Sequence, residues 1–323
     1  MGKFLSSSAD NIRYNGTGRC YMADTDSNAW EDVGELESIN FNMSVSTEKI
    51  KSTRTAAKAT LLERETEREA SLTIGLREHT THNLALALLG STWSDQNQLA
   101  GGADLASLTF TADKYMELGH YDVYLTKISH GTVSGGPFQV GETVTIGAVT
   151  AKVVWVGSGF VEVINPSDDV PSTGTMSGGT SSASATVSGV ETTADVCVVD
   201  DETPETRYVQ GTDYTIDADY GLIRILSEGA VSACHVAYSY GAITRKYNWM
   251  LSAGSVTKKV KFVADADDQG PREILTFHRV QVTMDGDMML LGDGESVINL
   301  NGTVLADTSQ SSGQEYFKLE VIQ

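Results

Sequence analysis

The sequence predicts a mainly β protein with one short helix and a second, outer β domain. Three observations carry that class. The 323 residues hold 31 glycines and only five prolines, a balance suited to many strands joined by glycine turns. Two segments, 35–46 and 59–76, alternate side chains with the period of a strand. Between 128 and 192, short Val-rich runs are broken by glycine. A chain of this length holds a large core, and two domains are expected.

Residues 1–17 are polar and unpatterned and read as an arm. "GRCYMA" (18–23) is a short strand. In "ELESINFNMSVS" (35–46), Ile39, Phe41, Met43 and Val45 face one way and Ser38, Asn40, Asn42 and Ser44 the other, as in a half-buried strand. "TEKIKSTRTAAKA" (47–59) comes next as a basic connection, with Lys49, Lys51, Arg54 and Lys58 and no acid after Glu48.

"ATLLERETEREASLTIGL" (59–76) must then be helix or strand. As a helix its four-apart pairs Glu63/Glu67, Arg64/Arg68 and Glu65/Glu69 are all like-charged, hence unfavourable. As a strand it sorts: Arg64, Thr66, Arg68, Ala70, Leu72, Ile74 and Leu76 share the face that becomes core. Glu63, Glu65, Glu67 and Glu69 project together from the other, about 7 Å apart. The expectation is a long β-hairpin with a line of carboxylates. That line is either solvated surface or a surface that repels an anion.

"HTTHNLALALLGS" (79–91) reads as a short helix stopped by Gly90, and "DQNQLAGGADLAS" (95–107) as a loop. "HYDVYLTKI" begins a new texture. Residues 128–192 are expected to form a compact β insertion, and 211–242 a meander with turns at Asp219–Gly221 and Ser227–Gly229. Longer strands lie in "TRKYNWMLS", "VTKKVKFVA", "EILTFHRVQVTMDGDMMLLG", "SVINLNGTVLAD" and "EYFKLEVI". The expected division is 1–118 and 243–323 as a core in two parts, with 119–242 as an outer domain containing the nested insertion.

The formal net charge of −20 argues against general nucleic-acid binding and against docking on anionic membrane. Cys20, Cys197 and Cys234 are scattered and odd in number, without zinc spacing, so a reducing compartment is expected. No run is long and apolar enough to span a membrane. The start lacks a signal-peptide segment, and its match to the myristoylation pattern reads as coincidence.

Candidate chemistry is sparse. Asp24, Asp26, Asn28 and Glu35 have the offsets of a calcium loop, but Ala29 replaces its glycine and no helices flank it. His79 and His82 could share a metal, yet no third ligand is evident; solvated histidines at a helix start are the plainer reading. Ser296 in "GDGES" is not in a nucleophile elbow. His120, His130, His235 and His278 are scattered. No enzyme, cofactor or metal is expected.

Three stretches together resemble the major tail tube protein of long, non-contractile-tailed bacteriophages. They are "VGELESINFNMSVSTEKIKSTRTAAKATLLERETEREASLTIGLREHTTHNLALALLG", "YVQGTDYTIDADYGLIRIL…GAV" and "ILTFHRVQVTMDGDMMLLGDGESVINLNGTVLADTS". The resemblance covers roughly 15–120 and 195–323; residues 128–192 depart from it as an added outer module. It implies a tube-type β-sandwich with a flanking helix, hexameric rings that stack, and long hairpins closing an inner barrel. It implies a virion structural protein assembled in the host cytoplasm. Its partners would be further copies of itself, tail terminator and tail tip proteins, and the tape measure protein during assembly. Genomic DNA would transit the lumen without specific binding. On that resemblance Glu63, Glu65, Glu67 and Glu69 line the lumen, and Lys49, Lys51, Arg54 and Lys58 reach an acidic rim on the next ring. The alternative is a cell-surface adhesin-like β protein that binds a sugar or protein ligand.

Overall fold

The computed structural model describes residues 17–54, 58–227, 229, 231, 233–265 and 272–322; the expected arm and the myristoylation pattern fall outside it. The chain opens with β1 (Gly18–Asp24), β2 (Glu31–Asp32), β3 (Leu36–Lys51), β4 (Thr60–Leu76) and α1 (Thr81–Ala87). Next come β5 (Ser94–Asp95), β6 (Gly101–Ser107), β7 (Tyr115–Glu117), β8 (Val123–His130), β9 (Thr143–Ile146), β10 (Val149–Gly157) and β11 (Phe160–Ile164). After these lie β12 (Gly174–Gly178), β13 (Ser184–Thr193), β14 (Cys197–Val199), β15 (Tyr214–Asp217), β16 (Leu222–Ile225), β17 (His235–Tyr240) and β18 (Lys246–Tyr247). The chain closes with β19 (Val256–Ala264), β20 (Arg272–Met284), β21 (Ile298–Val304) and β22 (Phe317–Ile322). The mainly β class is thus realised.

Two compact units form. One runs up to Ser94 and resumes at Tyr247; the other is Asp95–Lys246. The second unit therefore spans 95–246, where the sequence suggested a domain over 119–242. The reason is β6, a strand where the sequence reads as loop. It pairs with β17 from Ser107↔His235 to Gly101↔Tyr240, and the ring of Tyr240 lies where a Cβ on Gly101 would sit. Small residues there are a packing requirement rather than a loop signal.

In the first unit one antiparallel sheet runs β2-β1-β19-β20-β21-β4-β3. It forks along β20. The first half, Arg272–Phe277, pairs with β22, and the second, Val280–Met284, with β21. The core gathers the inward residues Met22, Leu72, Ile74, Leu76, Val260, Phe277, Val280, Ile298 and Leu300. Helix α1 starts at Thr80, whose side chain accepts the Asn83 N–H. Buried Asn83 donates to the carbonyls of Val33 and Glu78 and so ties the helix to the strands. The helix ends with Leu89 in the left-handed region (φ 50°) and the Gly90 N–H on the Ala85 carbonyl. The stop is one residue earlier than the glycine suggested. "TRKYNWMLS" is strand only at Lys246–Tyr247; beyond it Leu251 turns back to bond the Leu88 carbonyl.

In the second unit six strands close on themselves. β8 pairs β11 and β13, β13 pairs β12, β12 pairs β9, β9 pairs β10, and β10 pairs β11. The result is a six-stranded antiparallel barrel. It is filled by Ile128, Val144, Ile146, Val153, Val161, Val163, Met176 and Val187. The insertion expected at 128–192 is this barrel, begun five residues earlier at Val123. It is not self-contained. Val154 and Ile164 from the barrel share a core with Leu105, Cys197, Val199 and Ala237 of the flanking strands β6, β14 and β17. A separate three-stranded sheet, β15-β16-β7, completes the unit around Tyr214, Ile223 and Ile225.

Candidate functional site

The β3–β4 hairpin is the most unusual element of the first unit. It pairs continuously from Leu36↔Leu76 to Lys51↔Thr60, in strands of 16 and 17 residues where five or six are usual. The expected connection 47–59 shrinks accordingly, since 47–51 are strand. At the base, Leu72, Ile74 and Leu76 are buried. Further out the described residues leave much of the same face uncovered: Phe41 is 38%, Met43 60% and Val45 46% exposed. The half-buried strand expected at 35–46 is therefore half-buried only at its start, at Leu36 and Ile39, and exposed beyond. Phe41 still meets Phe277 and Phe317, with ring centroids 5.3 and 5.1 Å away. These rings border a cleft of about 1090 Å³ with Leu275, Leu319 and Leu36.

The four glutamates do not share a face. Ser44 pairs with Glu69 and Ser46 with Glu67, but Thr47 pairs with Glu65 and Lys49 with Glu63. Thr66 is an extra residue, a β-bulge, and its hydroxyl donates to the Ser46 carbonyl. A bulge advances one strand by a residue and reverses the alternation beyond it. Glu67 and Glu69 thus stand with Asn40, Asn42, Ser44, Ser46, Ser71 and Thr73 on a polar face, which the cross-strand pair Glu48 and Arg64 joins beyond the bulge. Glu63 and Glu65 stand on the other face, in line with Phe41, Met43 and Val45. Side-chain contacts agree. Glu63 accepts from Thr47 at 2.9 Å and lies 3.5 Å from Lys49; Glu65 holds Arg68 at 2.7 Å. The hydrogen bond to Glu65 raises the Arg68 pKa further above its ordinary value. Strict alternation would have set Glu65 and Arg68 on opposite sides.

The two faces therefore differ in charge state. On the apolar side each carboxylate has a cation. On the polar side Glu67 and Glu69 have no ion pair among the described residues. The hairpin tip carries Lys51, Arg54 and Lys58, all exposed. Beside them are the exposed apolar residues Ile50, Leu61 and Leu62, which the charge pattern hides in the sequence. Leu61 is the extra residue of a second bulge, between Ile50↔Leu62 and Lys51↔Thr60.

The other candidates separate. Asp24 is bonded to Lys258 at 2.6 Å, and that hydrogen bond holds its carboxyl below the usual range. Its stretch is the turn between β1 and β2, without helices. His79 lies before the helix, with a ring nitrogen 3.0 Å from the Ser296 carbonyl. His82 contacts Glu31 at 2.8 Å. Ser296 donates to the Met289 carbonyl. No group of three or more metal-binding side chains occurs among the described residues. All three cysteines are free and buried; burial pushes the Cys20 thiol up to about 12 and the Cys234 thiol up to about 11. No described helix is long and apolar enough to cross a membrane, which leaves membrane-crossing strands undecided.

Comparison with known proteins gives one family. No curated protein matches the chain. A family model matches residues 13–154 and 179–319. The match embraces the hairpin, both ends of the first unit and most of the barrel. It omits 155–178, which carries the end of β10, β11 and all of β12. With the match extending over most of its length, the chain belongs to the family described as Protein of unknown function UCP028589.

Proposed function

We propose that the chain is the major tail tube subunit of a long, non-contractile bacteriophage tail. In this reading six copies form a ring, rings stack, and viral DNA passes through the hollow centre. The sheet of the first unit serves as the tube-type sandwich, its hairpin joins the wall of the inner barrel, and the second unit stands outward. Tail terminator, tail tip and tape measure proteins are the partners this entails. The virion tail is its place.

One observation supports the reading above the rest: the long hairpin has two contrasting uncovered faces. Two-stranded hairpins are marginal alone, and Phe41, Met43 and Val45 call for cover. A neighbouring hairpin of the same kind supplies it. The opposite face then meets the lumen with small polar side chains and the two unpaired carboxylates Glu67 and Glu69. A duplex bearing one charge per ~1.7 Å meets Arg64 there set among Glu48, Glu67 and Glu69, so carboxylates outnumber the cation. In this version two of the four expected glutamates meet the lumen; Glu63 and Glu65 are neutralised within the wall.

The test is electron microscopy of the purified protein, then ejection kinetics. Rings or tubes are expected; a persistent monomer at high concentration rejects the proposal. Glu67→Lys with Glu69→Lys should slow DNA ejection, most at low salt, where screening is weakest. Glu63→Lys with Glu65→Lys should act on assembly instead. Equal ejection rates for the wild type and the 67/69 variant at both salt levels would remove the lumen role.

A further inference from the structure

The loop from Asp285 to Val297 joins β20 to β21 at the base end of the hairpin. Ile298 pairs with Leu76, and Arg77 holds Glu295 at 3.4 Å. The sequence pattern predicts a strand through this stretch, but β20 stops at Met284. The loop is anchored from below, Met288 packing on the core. Leu290 and Leu291 are left 85% and 96% exposed. Around them Asp285, Asp287 and Asp293 are exposed and have no ion pair among the described residues. Two leucines held in water on an acidic loop are a docking element without its counterpart.

The opposite end of the same hairpin carries the complement. Ile50, Leu61 and Leu62 are 50%, 69% and 54% exposed, and Lys51, Arg54 and Lys58 surround them. From Leu76 to Leu61 the strand spans about 50 Å. Neither patch can therefore meet its complement within one chain.

We propose that the basic, apolar hairpin tip of one copy docks on the acidic Leu290–Leu291 loop of the next. The occupant is a second copy of this chain, chosen by charge: three cations face three carboxylates, all without an ion pair among the described residues and each set around an apolar centre. The contact is heterologous. It uses different patches on the two partners, so it propagates along the strand direction instead of closing a dimer. It rests on the tube reading and gives that reading its ring-to-ring contact, with the acidic rim now placed on residues 285–293.

The experiment uses the full chain with Leu61→Cys and Leu290→Cys, oxidised under assembly conditions. The native cysteines are buried, so they compete little. The control pair is Leu61→Cys with Leu99→Cys, Leu99 being 81% exposed and outside the loop. A ladder of covalent multimers from the first pair, well above the control, is expected. Tubes without a ladder overturn the docking and leave the tube standing. A ladder without tubes supports the docking and counts against the tube. A monomer with no ladder overturns both. Charge reversal sharpens the result. Lys51→Glu, Arg54→Glu and Lys58→Glu together should raise the concentration needed for assembly by about tenfold, from three exposed pairs. Asp285→Lys, Asp287→Lys and Asp293→Lys should do the same. The two sets combined should restore assembly; failure of the combination to do so, with each chain folded by circular dichroism, rejects the pairing.

Discussion

The closed barrel in the second unit and the long hairpin in the first are built from the same alternation, yet they meet water in opposite ways. In the barrel every strand has a partner on each side and every core residue a neighbour. No edge is left for another chain to pair with. In the hairpin, β3 is a 16-residue edge, and half of its apolar face is bare. Closure satisfies the barrel's strand edges within the chain, though its outer side still shares a core with β6, β14 and β17. An open edge with an uncovered face is finished only by company. The contrast is why the proposed self-association is assigned to the first unit, and it can be attacked from both sides.

The largest effect should come from cutting the chain in two different places. β5 and β18 form a two-residue ladder where the chain leaves and re-enters the first unit. Joining Ser94 to Tyr247 through a short glycine–serine link should leave the first unit folded, with a single cooperative melt. Removing only 128–192 should be worse. It cuts β8 and strips Val154 and Ile164 from the core they share with Cys197 and Ala237. That variant should lose the fold of the whole second unit. Circular dichroism and proteolysis of both deletions decide; a well-folded remainder after the smaller cut would mean the barrel is independent after all.

A point change should nearly match that within the second unit. Arg207 lies largely buried, 2.9 Å from Glu162 and 3.6 Å from Asp195. Tyr214 donates to Asp195 or to the Val196 carbonyl, at 2.8 and 2.7 Å. Burial outweighs these contacts at Asp195 and raises its carboxyl above the ordinary value. Arg207→Ala leaves two carboxylates without their cation and should cost about 3–5 kcal/mol. The loss should appear in denaturant unfolding monitored at Trp155, which lies in β10. The signal of Trp249, in the first unit, should not move.

A smaller, pH-dependent effect should come from Glu142. Burial raises its pKa, but the N–H groups of Gln139, Thr180 and Ser181 and the Ser181 hydroxyl bind the carboxylate. The net shift is downward. With the folded value below the unfolded one, the stabilisation is present above about pH 4.3. It is lost as pH falls through the folded value. Glu142→Gln should weaken the second unit by about 1.5–3 kcal/mol at neutral pH. The difference from wild type should vanish in acid. A gap that stays constant down to about pH 2, well below the ordinary carboxylate range, would show that the charge has no part in it.

Much of this is legible from side-chain order. The β class, the hairpin, the helix and a compact glycine-punctuated β insertion emerge from periodicity, because burial on one side leaves a repeating mark; that the insertion closes as a barrel does not. The losses are of two kinds. β6 escapes because Gly101, Gly102 and Ala103 carry no alternation; the two glycines answer Tyr240 and Asn165, which crowd them. The bulge at Thr66 escapes because an extra residue in one strand is defined by its partner. Nothing in "ERETEREA" says that Thr47 will pair with Glu65. The deeper lesson concerns the glutamates. Alternation read along one strand puts all four together, while pairing read across two strands divides them. Only the second is a statement about faces.

The smallest expected effect tests that division through its sign. Glu67 and Glu69 are two residues apart on one face and have no ion pair among the described residues, so neutralising them relieves their mutual repulsion. Glu63 and Glu65 each hold a cation, so neutralising them removes attraction. Glu67→Gln with Glu69→Gln should therefore stabilise the isolated chain slightly, and Glu63→Gln with Glu65→Gln should destabilise it. Each change should be a few tenths of a kcal/mol, as exposed pairs give, and both should fade at high salt. Shifts this small need a companion that reads geometry directly. Register partners across antiparallel strands have Cα atoms about 4.5–5.5 Å apart, within the range of a disulfide. Thr47→Cys with Glu65→Cys should therefore oxidise readily. Thr47→Cys with Thr66→Cys, the pair that unbroken alternation would favour, should not. If the second pair closes and the first stays reduced, the bulge is absent and the four carboxylates return to one face. The two stability shifts should then share a sign, because all four glutamates would repel one another along a single line.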